Sequence, residues 1–193
     1  MTTRDAILAA VRANQPPLAP PIPVIPLFER TSPPLLEQFQ ETLMSMGGKF
    51  VPALDGEGLD ALVRSLFPDA AVICWATSEV RGRRALDSNA DPAELADVGV
   101  FRAAFGVAET GSVWLSDEEL KVNALAYLAQ HFVRPTRSEA HRRQSTSCLP
   151  RHPVQDRRYA VLVTGPSATA DIEGVLIHGA QGVRSLTAIL VPL

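Results

Sequence analysis

Cysteine is nearly missing from this 193-residue chain, in which Cys74 and Cys148 stand far apart. Two residues so placed make neither a disulfide framework nor a CxxC pair, which excludes a stapled secreted fold and a thiolate metal site. The histidines His131, His141, His152 and His178 show no metal-ligand spacing. No charge sign dominates. Eighteen Lys and Arg stand against 21 Asp and Glu, a net −3 that favours neither nucleic acid nor an anionic membrane as partner. No apolar run approaches the ~20 residues of a membrane span, and the first residues lack the apolar core of a signal peptide. Aromatics make up only 6%, and Trp75 and Trp114 sit in apolar runs where they read as core anchors. These absences predict a cytoplasmic α/β protein with no metal of its own.

What is present suffices for one sizeable core: 46% of the residues are hydrophobic. Residues 3–14 carry Ile7, Leu8 and Val11 at helical spacing and predict a short amphipathic helix. Residues 15–26 hold six prolines and predict an extended arm without helix or ladder, so that residues 1–30 stand apart from a single α/β domain at 31–193. Ser32 reads as an N-cap and Pro33 as a first helical residue. Leu35, Leu36, Phe39, Leu43 and Met46 then share one helix face, ended by Gly47-Gly48. A short strand is expected at 49–53, a helix at 59–67 and a buried strand of a mostly parallel sheet at 70–75, where Cys74 reads as a packed small hydrophobe. This alternation points to a layered α/β fold. Residues 81–89 read as a polar connector and 92–96 as a helical turn. Residues 98–115 read as a β-hairpin, with residues 108–111 as its turn and Gly111 supplying a positive φ. Residues 124–133 read as helix passing into strand.

One segment does not fit. Residues 134–152 contain five arginines and one acidic residue, Glu139, and offer no apolar period for helix or strand. A basic surface loop and a locally disordered stretch are two readings. A third is a compensated pair of frameshifts, because GC-rich codons read one base out of frame can give a strand, turn and amphipathic helix that rejoin near Arg151. Resequencing decides it: one intact frame through the segment removes the third reading.

The stretch richest in chemistry is 160–191. An apolar run stops at Thr164, Gly165, Pro166 and Ser167, and the polar residues after it predict a helix running up to Gly179, with a final strand beyond Gly182. A helix start of this kind presents free N–H groups and a positive dipole end to an anion. Thr164, Ser167 and Thr169 supply hydroxyls, Gly165 lets a ligand approach the backbone, and Pro166 stiffens the turn. Asp171 and Glu173 would suit the first turn of the helix, Gly179 its C′ position, and His178 its dipole. Any single hydroxyl here serves as a cap or turn residue. The cluster reads as a ligand site because it follows a strand's carboxyl end, where open α/β sheets bind ligands. No Lys follows the glycine at Walker spacing and no GxGxxG is present, so neither phosphate-loop nor dinucleotide binding is supported. Glu109 and Thr110, on the turn before Gly111, form the second candidate. Glu109 is either an exposed turn carboxylate or a base aimed into a cleft. Arg184 could receive a carboxylate, though a surface arginine is the more common outcome.

Three features together resemble the LUD domain family, specifically its lactate utilization protein C branch: GVAETGSVWL at 106–115, YAVLVTGPSATADIEGVLIHGAQGVRSL at 159–186, and the chain length. The resemblance covers 98–193 well and the earlier half only by element order. It implies a Rossmann-like three-layer fold like that of the sugar-phosphate isomerase (NagB/RpiA) and CoA-transferase group, with a mostly parallel sheet and a β-hairpin. It implies a cluster-free subunit of a system that oxidises L-lactate to pyruvate, with iron–sulfur clusters carried by partner proteins and no cofactor in this chain, which lacks a cysteine-rich cluster motif. A small carboxylate is the expected ligand, and a homodimer is compatible with this reading. The competing reading is a stand-alone enzyme or ligand-binding module acting on a small carboxylate or phosphorylated metabolite.

Overall fold

The computed structural model describes residues 2–15, 33–52, 58–76, 84–85, 96–129, 131–136, 141–142, 157–172, 175–178 and 182–190. The proline-rich arm, Ser32, most of the turn expected at 92–96, Cys148, Glu173 and Gly179 lie outside them. In chain order the elements are α1 (Thr3–Ala13), α2 (Leu35–Ser45), β1 (Lys49–Val51), α3 (Leu59–Leu66), β2 (Ile73–Trp75), β3 (Arg84–Ala85), β4 (Val98–Val100), β5 (Phe105–Val107), β6 (Ser112–Ser116), α4 (Asp117–Leu120), α5 (Asn123–Leu128), β7 (His131–Thr136), β8 (His141–Arg142), β9 (Ala160–Val163), β10 (Ala168–Ile172), β11 (Val175–His178) and β12 (Ser185–Leu190).

The strands form three sheets. One is six-stranded and wholly parallel, in the order β1-β12-β7-β4-β2-β3. A four-stranded sheet runs β8-β5-β6-β9, with β6 antiparallel to both β5 and β9. The third is the antiparallel pair β10-β11. Alternation along the parallel strands sorts their side chains to two faces. Ile73, Val98, Val100 and Ile189 pack with Leu62 and Val63 of α3 on one face. Cys74, Leu186 and Ala188 face the other way, into a core shared with Phe39 and Leu43 of α2 and with Val113 and Leu115 of β6. This core holds the two large sheets together and carries α2 between them and the loops described below. On the far side of the smaller sheet, Phe105 and Trp114 are register partners whose rings stack at 5.5 Å.

Several sequence expectations are corrected. Helix α2 starts at Leu35, not Pro33, with Pro34 as an N-cap at ψ 142. The residue before a proline is pushed out of the helical region, so two prolines in a row delay the start. The stretch 98–115 is not one hairpin. Strand β4 belongs to the parallel sheet, and only β5 and β6 pair across the 108–111 turn. The break comes where Phe101 turns back over Gly99, whose absent Cβ would lie 2.5 Å from the Phe101 ring. The connector at 81–89 contains β3, which pairs with β2 at Cys74↔Arg84 and Trp75↔Ala85. The basic segment contributes strand after all. Strand β7 runs through Arg134, Pro135 and Thr136, and β8 pairs with β5. Backbone pairing needs no apolar period, and β4 stops pairing at Val133, so among the described residues Pro135 has β12 alone beside it.

The largest correction is at 168–178. No helix follows Ser167. The chain forms the β10-β11 hairpin, with Thr169 opposite Ile177 and Ile172 opposite Val175. Thr169, Ile172, Val175 and Ile177 are β-branched, which favours strand over helix, and an interior Gly174 would weaken a helix further. The helix-dipole roles given to Asp171, Glu173, Gly179 and His178 fall with it.

Candidate functional site

Two loops that are far apart in sequence meet on the second half of α2. The first is the turn between β5 and β6. Gly111 N–H donates to the Val107 carbonyl at 2.9 Å, closing the turn. Gly111 takes φ +66, and a Cβ there would lie 2.3 Å from the Leu43 amide nitrogen. Only glycine can seat the turn this close to the helix. The Thr42 hydroxyl, 2.8 Å from the Ala108 carbonyl, ties the same turn to α2. The second loop follows β9. Gly165 takes φ +61, and a Cβ on it would meet the Met46 carbonyl oxygen at 2.2 Å. Pro166 packs beside Gly47, which ends α2 at φ +80. Ser167 N–H donates to the Val183 carbonyl at 2.8 Å, and Gly182 beside it takes φ +86.

The result is a row of three hydroxyls. Thr110 Oγ1 lies 2.6 Å from Ser112 Oγ, and Ser112 Oγ is hydrogen-bonded to Thr164 Oγ1. Ser112 is 3% exposed, so it depends on these two partners. Each hydroxyl both donates and accepts, so the row can run in either direction. Thr164, at its end, can donate to a carboxylate or keto oxygen, or accept from a ligand hydroxyl.

Thr164 opens onto a largely apolar cleft of about 340 Å³. Gly165, Pro166, Ser167 and Gly182 line it, with Val161, Val163 and Val183 on its apolar walls and Tyr127 at its side. The Tyr127 and Tyr159 hydroxyls are 2.9 Å apart. Burial, then the Tyr159 hydroxyl, pushes the Tyr127 phenol above its ordinary value, so it stays protonated and able to donate.

The fold thus brings Thr110, Gly111, Thr164, Gly165, Pro166, Ser167 and Gly182 to one place. It leaves other candidates apart. Glu109 is exposed and is not among the residues lining the cleft. Thr169 pairs with Ile177 in the hairpin, outside the lining. Asp171 sits in β10, beyond the end of the loop. Arg184 is exposed. Sequence reasoning missed Ser112, Tyr127 and Thr42. The signal for Ser112 was a hydroxyl opening an otherwise apolar strand. Among the described residues, no group of His, Cys, Asp and Glu is arranged to hold a metal ion, and no helix is long and apolar enough to cross a membrane.

The two loops lie within the part of the chain, residues 85–191, that matches the LUD domain. The chain belongs to the LUD domain family. Within that family it is 26% identical over 200 aligned positions to a protein of Geobacillus sp. (strain WCH70) named lactate utilization protein C, covering 98% of this chain and 79% of the relative. Its fold is similar to that in a crystal structure of a DUF162 family protein from Deinococcus radiodurans. That match has a TM-score of 0.63 and 16% identity over 81% of this chain and 96% of the other. The LUD match begins at β3 and leaves out α2, the helix on which both loops of the cleft are seated.

Proposed function

We propose that this chain is the cluster-free subunit of an iron–sulfur system that oxidises L-lactate to pyruvate. The observation that carries the reading is the near full-length similarity to a protein named lactate utilization protein C. Converting lactate to pyruvate removes two electrons and two protons, and iron–sulfur partner proteins are the electron acceptors in this reading. The chain's part is to bind and orient the small carboxylate ligand. The Thr110–Ser112–Thr164 row suits a ligand that changes from hydroxyl to keto group, because its end can accept from the first and donate to the second. The cytoplasm is the compartment of this reading, a homodimer its working assembly, and the six-stranded parallel sheet supports a Rossmann-like architecture of the CoA-transferase type.

The test is lactate-dependent reduction of an electron acceptor, measured with the chain alone, with its iron–sulfur partners alone, and with all together. Turnover is expected only in the complete mixture. Full activity without this chain overturns the reading, and turnover by the chain alone converts it to that of an independent enzyme.

A further inference from the structure

The cleft beside Thr164 is larger and more apolar than a three-carbon ligand requires. Val161 and Val163 project from one face of β9. Val183 is held near them by the bond from the Ser167 amide to its carbonyl, 2.8 Å. All three valines also pack against the main core, so this wall is fixed before a ligand arrives. The Tyr127 ring stands at the side, set edge-on to Tyr159 with 6.4 Å between centroids. The polar side-chain groups of the described lining are the hydroxyls of Tyr127, Thr164 and Ser167, all neutral.

Volume measures the mismatch. The six heavy atoms of lactate, at roughly 30 Å³ each, the share of one water molecule in the liquid, fill about 180 Å³. The cleft holds about 340 Å³. Nearly half of it would stay filled with water against carbon walls. Three more carbon atoms raise the filled volume to about 270 Å³ and exchange that water for apolar contact.

We propose that this cleft takes 2-hydroxy acids whose side chain is an apolar group of about four carbons, with lactate among its smallest ligands. Thr164, at the end of the hydroxyl row, holds the oxygen on C2 as hydroxyl or as keto group. The Tyr127 and Tyr159 hydroxyls, 2.9 Å apart, share one hydrogen bond and keep one proton to donate. That proton meets the carboxylate on the exposed Tyr127 side, where the charge stays hydrated and escapes the cost of burial. The side chain on C2 lies against Val161, Val163 and Val183. The proposal rests on the functional reading above for its reaction. The hydrogens on C2 and its oxygen leave as two electrons and two protons, the electrons pass to the iron–sulfur partners, and the side chain is unchanged.

Calorimetric titration of the full chain with L-lactate, L-2-hydroxybutanoate, L-2-hydroxy-4-methylpentanoate and 4-methylpentanoate tests it. Affinity is expected to rise about threefold with each added carbon, so that the longest hydroxy acid binds at least about tenfold tighter than lactate. Its counterpart without the hydroxyl is expected to bind about fivefold more weakly. Val183→Thr keeps the shape of the wall and adds a hydroxyl to it. It is expected to weaken the longest acid about fivefold and to leave lactate within about twofold. Thr164→Val is expected to make the hydroxy acid and its counterpart bind alike. The wild-type series decides without either variant. The proposal is overturned if none of the acids binds, if affinity is flat or falls with length, if 4-methylpentanoate matches its 2-hydroxy form, or if a folded Val183→Thr keeps the wild-type series.

Oxidation with the partner proteins separates the two readings. Lactate bound as tightly as the longest acid, in a mixture whose lactate oxidation still needs this chain, removes the side-chain preference alone. A rising series in a chain that the partners do not need for oxidation removes the functional reading alone.

Discussion

Single residues carry two opposite kinds of backbone cost. Gly111 takes a left-handed φ against the α2 backbone, where any Cβ would overlap Leu43. Gly111→Ala is therefore expected to destabilise the fold by about 2 kcal/mol or more, from strain plus displacement of the turn, read from the urea midpoint. Lys121 takes a strained γ-turn that glycine would take freely. Relief of about 2 kcal/mol of strain, less about 1 kcal/mol for glycine's larger unfolded-state freedom, leaves Lys121→Gly more stable by about 1 kcal/mol. A higher melting temperature of Lys121→Gly than of wild type is the measurement that checks this. The glycine requirement at 111 was legible from the turn pattern, but the helix that enforces it was not, because nothing local to 108–111 names Leu43 as a neighbour.

At the level of elements, α1 is well formed and uncommitted. Thr2 and Asp5 make a capping box, yet none of its residues is buried, and Ile7 and Val11 are more than half exposed. Isolated helices of this length are marginal, so its order contributes little to the rest. Removing residues 1–14 is expected to leave the unfolding midpoint within about 0.5 kcal/mol of wild type, with a small loss of helical signal in circular dichroism. Helix α2 is the contrast. Phe39 and Leu43 are fully buried beneath the two loops, so Phe39→Ala is expected to cost about 3–5 kcal/mol by denaturant titration. Elements with a strong apolar period, α2, α3 and β2, were readable from the sequence within a few residues. Strand β7 was readable only as far as Val133 and β8 not at all, because the order of 134–136 and 141–142 comes from backbone pairing with distant strands. The β10-β11 hairpin was misread as helix because its Thr, Ser and Asp residues also suit a helix start; the β-branched spacing and Gly174 carried the truer signal.

For the whole molecule, the amino ends of the parallel strands set a pH dependence. His131 opens β7, with its Nδ1 2.8 Å from Ser185 Oγ and its ring 4.8 Å from Phe67. Burial first, then the charges of Arg184 and Lys49, lower its pKa below the ordinary 6.5, with Asp97 opposing. The unfolded chain therefore takes up a proton at higher pH than the folded one. Stability falls as pH drops through the window below about 6.5 and is recovered above it. Urea midpoints between pH 5 and 7.5 are expected to show this slope, and His131→Gln, which can keep a hydrogen bond to Ser185, should flatten it. Composition and hydropathy period were enough to establish a layered α/β protein with a parallel sheet, because burying apolar residues at a given spacing leaves few other solutions. The position of the site was another matter. Thr110, Ser112 and Thr164 become one row only because both loops are seated on α2. Contacts of that kind join residues with no sequence relation to one another, so only the packed chain could decide them.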